Sequence, residues 1–266
     1  MNATTVRSIG RAGGQLLLRR SAAPGGVVFA YHDVVERPTR ESLAVTPRQL
    51  EGHLRTARRL GLTFVPLVEL VARLLRGGPV DGLAAVVFDD ALLGVHRQAL
   101  PVLAEAAVPS TLCPVSRALG VDPPWWPGSQ RTLTRSELQE LISGGMTVAG
   151  HTRTHPSLPT LNDRQLADEL SGARADLADL TGTAVELVAY PYGHHDRRVR
   201  VATAEAGYRA GFTFLNGRLT GREDLLRLPR LTMWPGMSSA RLAYALCRPA
   251  ESWPDHQRDI VLHEPE

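Results

Sequence analysis

The sequence contains no lysine: all 30 basic residues among its 266 are arginine. That removes Schiff-base lysines, a phosphate-loop lysine and lysine general bases from consideration. Cysteine is nearly absent too. Cys113 and Cys247 have neither metal-ligand nor redox spacing, and two thiols in so long a chain make no disulfide framework. The net charge of +3 is small and scattered, a weak footprint for nucleic acid. Long apolar runs are missing as well. Met1 to Arg20 holds only Leu16-Leu17-Leu18 before Arg19-Arg20, too short for the apolar part of a signal peptide, and no stretch could span a bilayer. The expectation is a cytoplasmic protein with residues 1–26 as a tail or helix. Residues 27–266 then form one domain, without repeats, low-complexity segments or a clear linker.

What is present alternates between strand and helix patterns. Val27–His32 reads as a buried strand. Thr46-Pro47 pairs a capping residue with proline at the first helical position, and Leu50, Leu54, Ala57 and Leu60 share one helical face before Gly61. A short strand near Leu62–Val65 and a helix from about Leu67 to Arg76 follow. Ala84–Phe88 is a strand, His96–Ala107 a helix interrupted early by Pro101, and Thr111–Val115 a strand. Pro123-Pro124-Trp125-Trp126-Pro127-Gly128 is a loop. Thr134 and Glu137 form a capping-box pattern opening a helix, and Met146–Ala149 is the next strand. A long helix starts at Asn162 or Asp163, Val185–Tyr190 is a strand, Asp196 caps another helix, and Tyr208–Phe214 is a strand. Such β-α-β-α order with short links favours a mostly parallel sheet or barrel.

Two strand ends carry the chemistry. Phe88-Asp89-Asp90 ends one apolar run, and Gly150-His151-Thr152-Arg153-Thr154-His155-Pro156 ends another. Parallel α/β folds place reacting groups where strands run out into loops. One carboxylate with two imidazoles makes an open metal site, and a second carboxylate beside it can serve as base. The chain reads as a metal-dependent hydrolase.

With Tyr190-Pro191-Tyr192-Gly193, Tyr31-His32-Asp33-Val34 and Leu228-Pro229-Arg230 added in matching order, the sequence resembles the polysaccharide deacetylases of carbohydrate esterase family 4. The Tyr-His-x-Val element before Asp-Asp resembles the circularly permuted branch of that family. The resemblance implies an α/β fold, a distorted (β/α) barrel with fewer than eight strands. It implies Asp90, His151 and His155 as ligands of one divalent metal ion. Zinc suits that donor set best, and cobalt, nickel or iron fit it. It implies Asp89 as catalytic base, acting on water whose pKa the metal has lowered toward about 7. His32 is the implied general acid, an imidazolium near neutral pH that protonates the leaving amine. A rival is His263, at the end of Asp259-Ile260-Val261-Leu262-His263, which resembles the C-terminal Leu-x-His strand of the unpermuted branch. Tyr192 would help hold the oxyanion through its backbone N–H, and Arg230 would orient Asp89.

The motifs also depart from the family. Ala91 stands where glycine usually follows Asp-Asp, Val87 where threonine precedes phenylalanine, Leu92 where an aromatic is common, and Ala189 where the unpermuted branch has arginine. If position 91 needs positive φ, alanine is strained there by roughly 1 kcal/mol. Trp125, Trp126 and Trp234 are candidates to stack on sugar faces, His194 and His195 to line a pocket rim, and His53 to be exposed on its helix. The expected reaction is hydrolysis of the acetamido group of an N-acetylated sugar or small glycoside, with no nucleic acid or integral membrane partner. Two alternatives stand beside it: hydrolysis of a non-sugar natural product, and a degenerate carbohydrate-binding member.

Overall fold

Strands form where apolar runs are hidden on both faces, which parallel pairing under a helical layer achieves. In the computed structural model, which describes residues 22–39 and 43–248, β1 (Val27–Tyr31) is buried throughout. Pairing in parallel beside it is β3 (Leu83–Asp90), and β4 (Ser110–Pro114) lies beyond. With β2 (Thr63–Phe64), β5 (Thr147–Val148), β6 (Leu187–Ala189), β7 (Ala210–Asn216) and β8 (Leu228–Thr232) they form one sheet. Seven strands run in the order β5-β4-β3-β1-β8-β7-β6, with β2 paired to β3 off that path. Every pairing is parallel. Just beyond β5, Gly150 exchanges two backbone hydrogen bonds with the β6 strand, at 2.7 and 2.9 Å, and brings the two ends together. The seven-strand path is thus a nearly closed (β/α) barrel with fewer than eight strands, as expected.

Strand alternation sorts the core. Val28, Ala30, Ala85, Val87, Ala149, Ala189 and Ala210 cluster together, whereas Phe29, Tyr31, Val86 and Phe88 belong to a second cluster. The described α-helices are α1 (Pro47–Arg59), α2 (Leu67–Leu75), α3 (Leu100–Glu105), α4 (Arg135–Ser143), α5 (Asp163–Ala167), α6 (Ala173–Thr181), α7 (Arg197–Glu205) and α8 (Ser239–Leu246). Helix α2 packs with the first cluster, α1, α3, α4 and α8 with the second, and Leu166, Leu177 and Val199 form a third. The caps read from the sequence are built: Thr46, Thr134, Asn162 and Asp196 accept from the third residue of their helices. No helix among the described residues is long and apolar enough to cross a membrane.

Three expectations change. His53 is buried, not exposed, between the Tyr31 hydroxyl at 3.2 Å and the Met237 carbonyl at 2.6 Å. The helix expected over 96–107 begins as a π turn, Val95–Ala99, and Pro101 falls in the first turn of α3, where a missing N–H is tolerated. The long helix from Asn162 is divided by a π segment, Asp168–Gly172, between α5 and α6.

Helix α3 ends in a Schellman motif: Val108 N–H donates to Leu103 O and Ala107 N–H to Ala104 O, both at 3.0 Å. Ala107 carries φ 47° on an exposed position, where glycine is preferred. Ala107→Gly should therefore stabilise the protein by about 0.5–1 kcal/mol, since relief of the left-handed strain outweighs the added freedom of the unfolded chain. A lower urea midpoint for this variant would contradict that balance.

Candidate active site

The same alternation that buries Ala85 and Val87 carries the next residue of that row, Asp89, to the mouth of the barrel. There it pairs in register with Cys113 of β4. Burial pushes the Cys113 thiol well up, so it stays protonated. From β8, Arg230 donates through Nη1 to Asp89 Oδ1 at 2.8 Å and through Nε to Thr213 O at 2.9 Å. Both side chains of the pair are fully buried, so Arg230 is no surface arginine. Burial alone would raise the Asp89 carboxyl. The Arg230 guanidinium and its hydrogen bond, with the nearby His151 and His32 imidazoles adding to the effect, overcome it and hold the group well below the usual carboxylate range.

Alternation would send Asp90 outward. Instead Asp90 adopts φ 63° and Ala91 φ 51°, and the Ala91 N–H closes onto Asp89 O at 2.8 Å. This tight turn redirects the Asp90 carboxylate. The strain anticipated at Ala91 is present, shared with its neighbour. Two strands along, in the loop after β5, Thr152 and His155 have φ 66° and 64°, and the His155 N–H donates to Thr152 Oγ1 at 3.1 Å. Glu169, which sequence reasoning missed, clamps this loop. Its carboxylate accepts from the N–H groups of Arg153 and Thr154 and from the Thr154 hydroxyl, at 2.6–3.0 Å. Among the described residues six non-glycine residues have positive φ, and Asp90, Ala91, Thr152, His155 and Tyr192 are five of them. Strain concentrated in this way marks a site that the surrounding fold over-determines.

The two turns bring Asp90, His151 and His155 together, with one ligand atom from each lying within 4.8 Å of the others. Asp90 Oδ1 is 3.5 Å from His151 Nε2 and 3.4 Å from His155 Nε2. His151 Nδ1 donates to Ala189 O at 2.7 Å, which fixes the tautomer and leaves Nε2 with a free lone pair. Burial lowers both imidazoles, His155 to about 2, so both are neutral. Burial and the adjacent Asp89 charge push the Asp90 carboxyl up to about 8. Two neutral imidazoles and a buried carboxylate with no basic side chain bonded to it suit one divalent cation, whose charge would reverse that shift.

His32, at the end of β1, sets Nε2 3.9 Å from Asp89 Oδ2, the oxygen that Arg230 leaves free. Its ring stacks on Phe214 at 5.5 Å and meets Trp126 edge-on at 5.5 Å. Burial holds the His32 imidazole down to about 4 against the pull of Asp89. The imidazolium expected near neutral pH is therefore not its resting form. Tyr192 lies in the Pro191–Gly193 3-10 turn with φ 58°, its ring edge-on to His155 at 4.7 Å. Gly193 is required there, because a Cβ would lie 2.5 Å from the Phe214 nitrogen. Trp125 stacks on His155 at 4.5 Å rather than standing free, and Trp234 lies under Arg241. His194 bonds to Ser157 at 2.9 Å beside Tyr192, and His195 is buried against Tyr190. His263 lies outside the described residues.

A parallel barrel whose mouth gathers two carboxylates, three histidines and a buried arginine is a hydrolase-like architecture. The sequence model for polysaccharide deacetylases matches residues 77–211, and the chain belongs to that family. YxkH of Bacillus subtilis strain 168, whose name places it provisionally among the polysaccharide deacetylases, is 22% identical over 214 residues. The match covers 80% of this chain and 73% of YxkH. Among solved structures, the Streptococcus pyogenes deacetylase PplD in complex with acetate superposes with a TM-score of 0.73 at 21% identity, over 86% of this chain and 100% of that one. IcaB from Ammonifex degensii gives 0.72 at 24% identity, over 85% and 99%. At these identities the two structures speak for the fold.

Because Asp89 has its cation inside the protein, breaking the pair should be costly. Arg230→Met should lower stability in the presence of chelator by about 3–5 kcal/mol, the cost of leaving a buried charge unpaired. Adding Asp89→Asn should recover much of it. Urea denaturation of both variants reads this directly, and full additivity of the two losses would contradict the pairing.

Proposed function

We propose that this protein is a metal-dependent N-deacetylase, hydrolysing the acetamido group of an N-acetylated sugar or small glycoside. The observation that carries the reading is the unequal treatment of two adjacent buried carboxylates. Asp89 is neutralised by Arg230 with one oxygen left facing His32, and Asp90 is turned toward two neutral imidazoles.

In this reading Asp90, His151 and His155 hold one divalent cation, zinc first and cobalt, nickel or iron as alternatives. When bound it would supply Lewis acidity, lowering the pKa of water and polarising the acetyl carbonyl. The chain's own groups do the rest. Asp89, kept anionic and oriented by Arg230, takes the proton from the attacking water through Oδ2. His32 is neutral at rest and receives that proton from Asp89. It delivers the proton to the nitrogen of the leaving amine, so that the tetrahedral intermediate breaks forward. This assigns the acid to His32 rather than His263 and the chain to the permuted branch. The Tyr192 N–H is the first of its 3-10 turn, which gives it no internal acceptor, and it is suited to the developing oxyanion. A small substrate is supported by Trp125 and Trp126, which pack against His155 and His32 and favour a closed pocket over an open groove. We also read residues 27–266 as one catalytic domain located in the cytoplasm; residues 1–21, within the expected N-terminal tail or helix, and 249–266 lie outside the described residues.

Acetate release from N-acetylated glycosides tests the reading. Asp89→Asn should keep the metal content of the wild type and lose about 10²–10⁴-fold in turnover, the usual worth of a general base. His151→Ala should lose both metal, by elemental analysis, and activity. His32→Ala should be inactive and His263→Ala active. The opposite pattern would move the acid to His263. Rates rising steeply with oligosaccharide length would return the substrate to the polymers, because remote subsites then contribute to turnover. Equal metal content in wild type and His151→Ala would sink the ligand assignment.

A further inference from the structure

Trp125 touches two of the three candidate ligands at once. Its Nε1–H donates to Asp90 Oδ1 at 3.1 Å, the oxygen nearest both histidines, and its ring stacks on His155 at 4.5 Å and 16°. The segment that bears it is stitched to both ligand loops. On leaving β4, the N–H groups of Ser116 and Arg117 donate to Thr152 O and Arg153 O, between the two histidines. On returning, Leu133 N–H donates to Ala91 O, and Leu93 N–H donates to Arg131 O, just after the Asp-Asp turn. Leu92 and Thr132 form an antiparallel bridge there. Between these ends a short turn, Trp126 N–H to Pro123 O at 3.1 Å, sets the indoles over the site.

We propose that Trp125 is a positioning residue for the cation site, orienting the Asp90 carboxylate through its indole N–H and the His155 imidazole through its ring. The inference rests on the cation-site reading of Asp90, His151 and His155. A carboxylate oxygen has two lone pairs, so Oδ1 can accept the indole N–H and still present a lone pair toward the imidazoles. Donors of this kind fix ligand rotamers, and their loss typically weakens metal binding about 10–100-fold. Phenylalanine at 125 would keep a ring against His155 and remove the hydrogen bond. The role is independent of turnover and can be read without substrate.

The test uses full-length protein stripped with chelator and titrated with Co²⁺ or Zn²⁺ against a chromophoric competitor. Trp125→Phe should raise the Kd about tenfold or more with unchanged Tm in chelator, while Trp126→Phe should leave the Kd unaltered. Co²⁺ should also quench a share of the wild-type tryptophan emission that Trp125→Phe lacks. An unchanged or tighter Kd in Trp125→Phe would overturn the inference, as would an equal loss in Trp126→Phe. If wild-type protein binds neither ion, the cation-site reading itself falls. Wild-type binding with no effect of Trp125→Phe leaves that reading standing and removes only the role of Trp125.

Discussion

Two adjacent carboxylates, both buried, stand at the end of one strand, and a single arginine faces them. That charge imbalance is the constraint around which the barrel mouth is arranged. Arg230 satisfies Asp89 alone, through a 2.8 Å bond inside the barrel. A second buried anion without a cation is strongly disfavoured, which is why the Asp90 carboxyl is pushed up to about 8 by burial and its neighbour. A divalent cation against Asp90 would resolve the imbalance. With such a cation in place, the two neighbouring aspartates would take different duties from environment alone.

The geometry that separates them is strained. Left-handed residues at Asp90, Ala91, Thr152, His155 and Tyr192 each cost on the order of 1–2 kcal/mol. They persist because the loops that hold them are tied down elsewhere. Glu169 clamps the histidine loop from the π segment, His151 is fixed to Ala189 of β6, and the 115–133 segment bonds to both ligand turns. The barrel beneath, with buried clusters packed on the two faces of its strands, provides the rigid base. The π segment that presents Glu169 fits the tendency of such irregularities to occur at functional sites.

Much of this was legible in the residues. Apolar runs marked most strands, the capping residues Thr46, Thr134, Asn162 and Asp196 marked helix starts, and the polar clusters at two strand ends marked the mouth. The glycine-to-alanine departure at position 91 pointed to strain that the backbone contains. Contacts between distant segments were not legible. His53 has a helical face like any exposed histidine, and its burial depends on Tyr31 and Met237 from elsewhere. The strand carrying Arg230 is short and interrupted by Pro229, so it reads weakly as a strand, and α8 has no strong sequence signal. Trp125 read as a loop aromatic for stacking on a sugar face because nothing local announces a bond to Asp90. Glu169 did leave a trace: it sits on the same helical stripe as the buried residues Leu166, Leu170 and Ala173, an unusual place for a carboxylate.

The central claim is that the leftover carboxylate and the two imidazoles share one cation. Anomalous diffraction from a zinc-soaked crystal, recorded on both sides of the zinc edge, tests it most directly. The account predicts a single strong peak bonded to Asp90, His151 Nε2 and His155, with Asp89 and Arg230 still paired beside it. Fully exchanged crystals with no anomalous peak among these three side chains, or with the ion held by Asp89 instead, would contradict it.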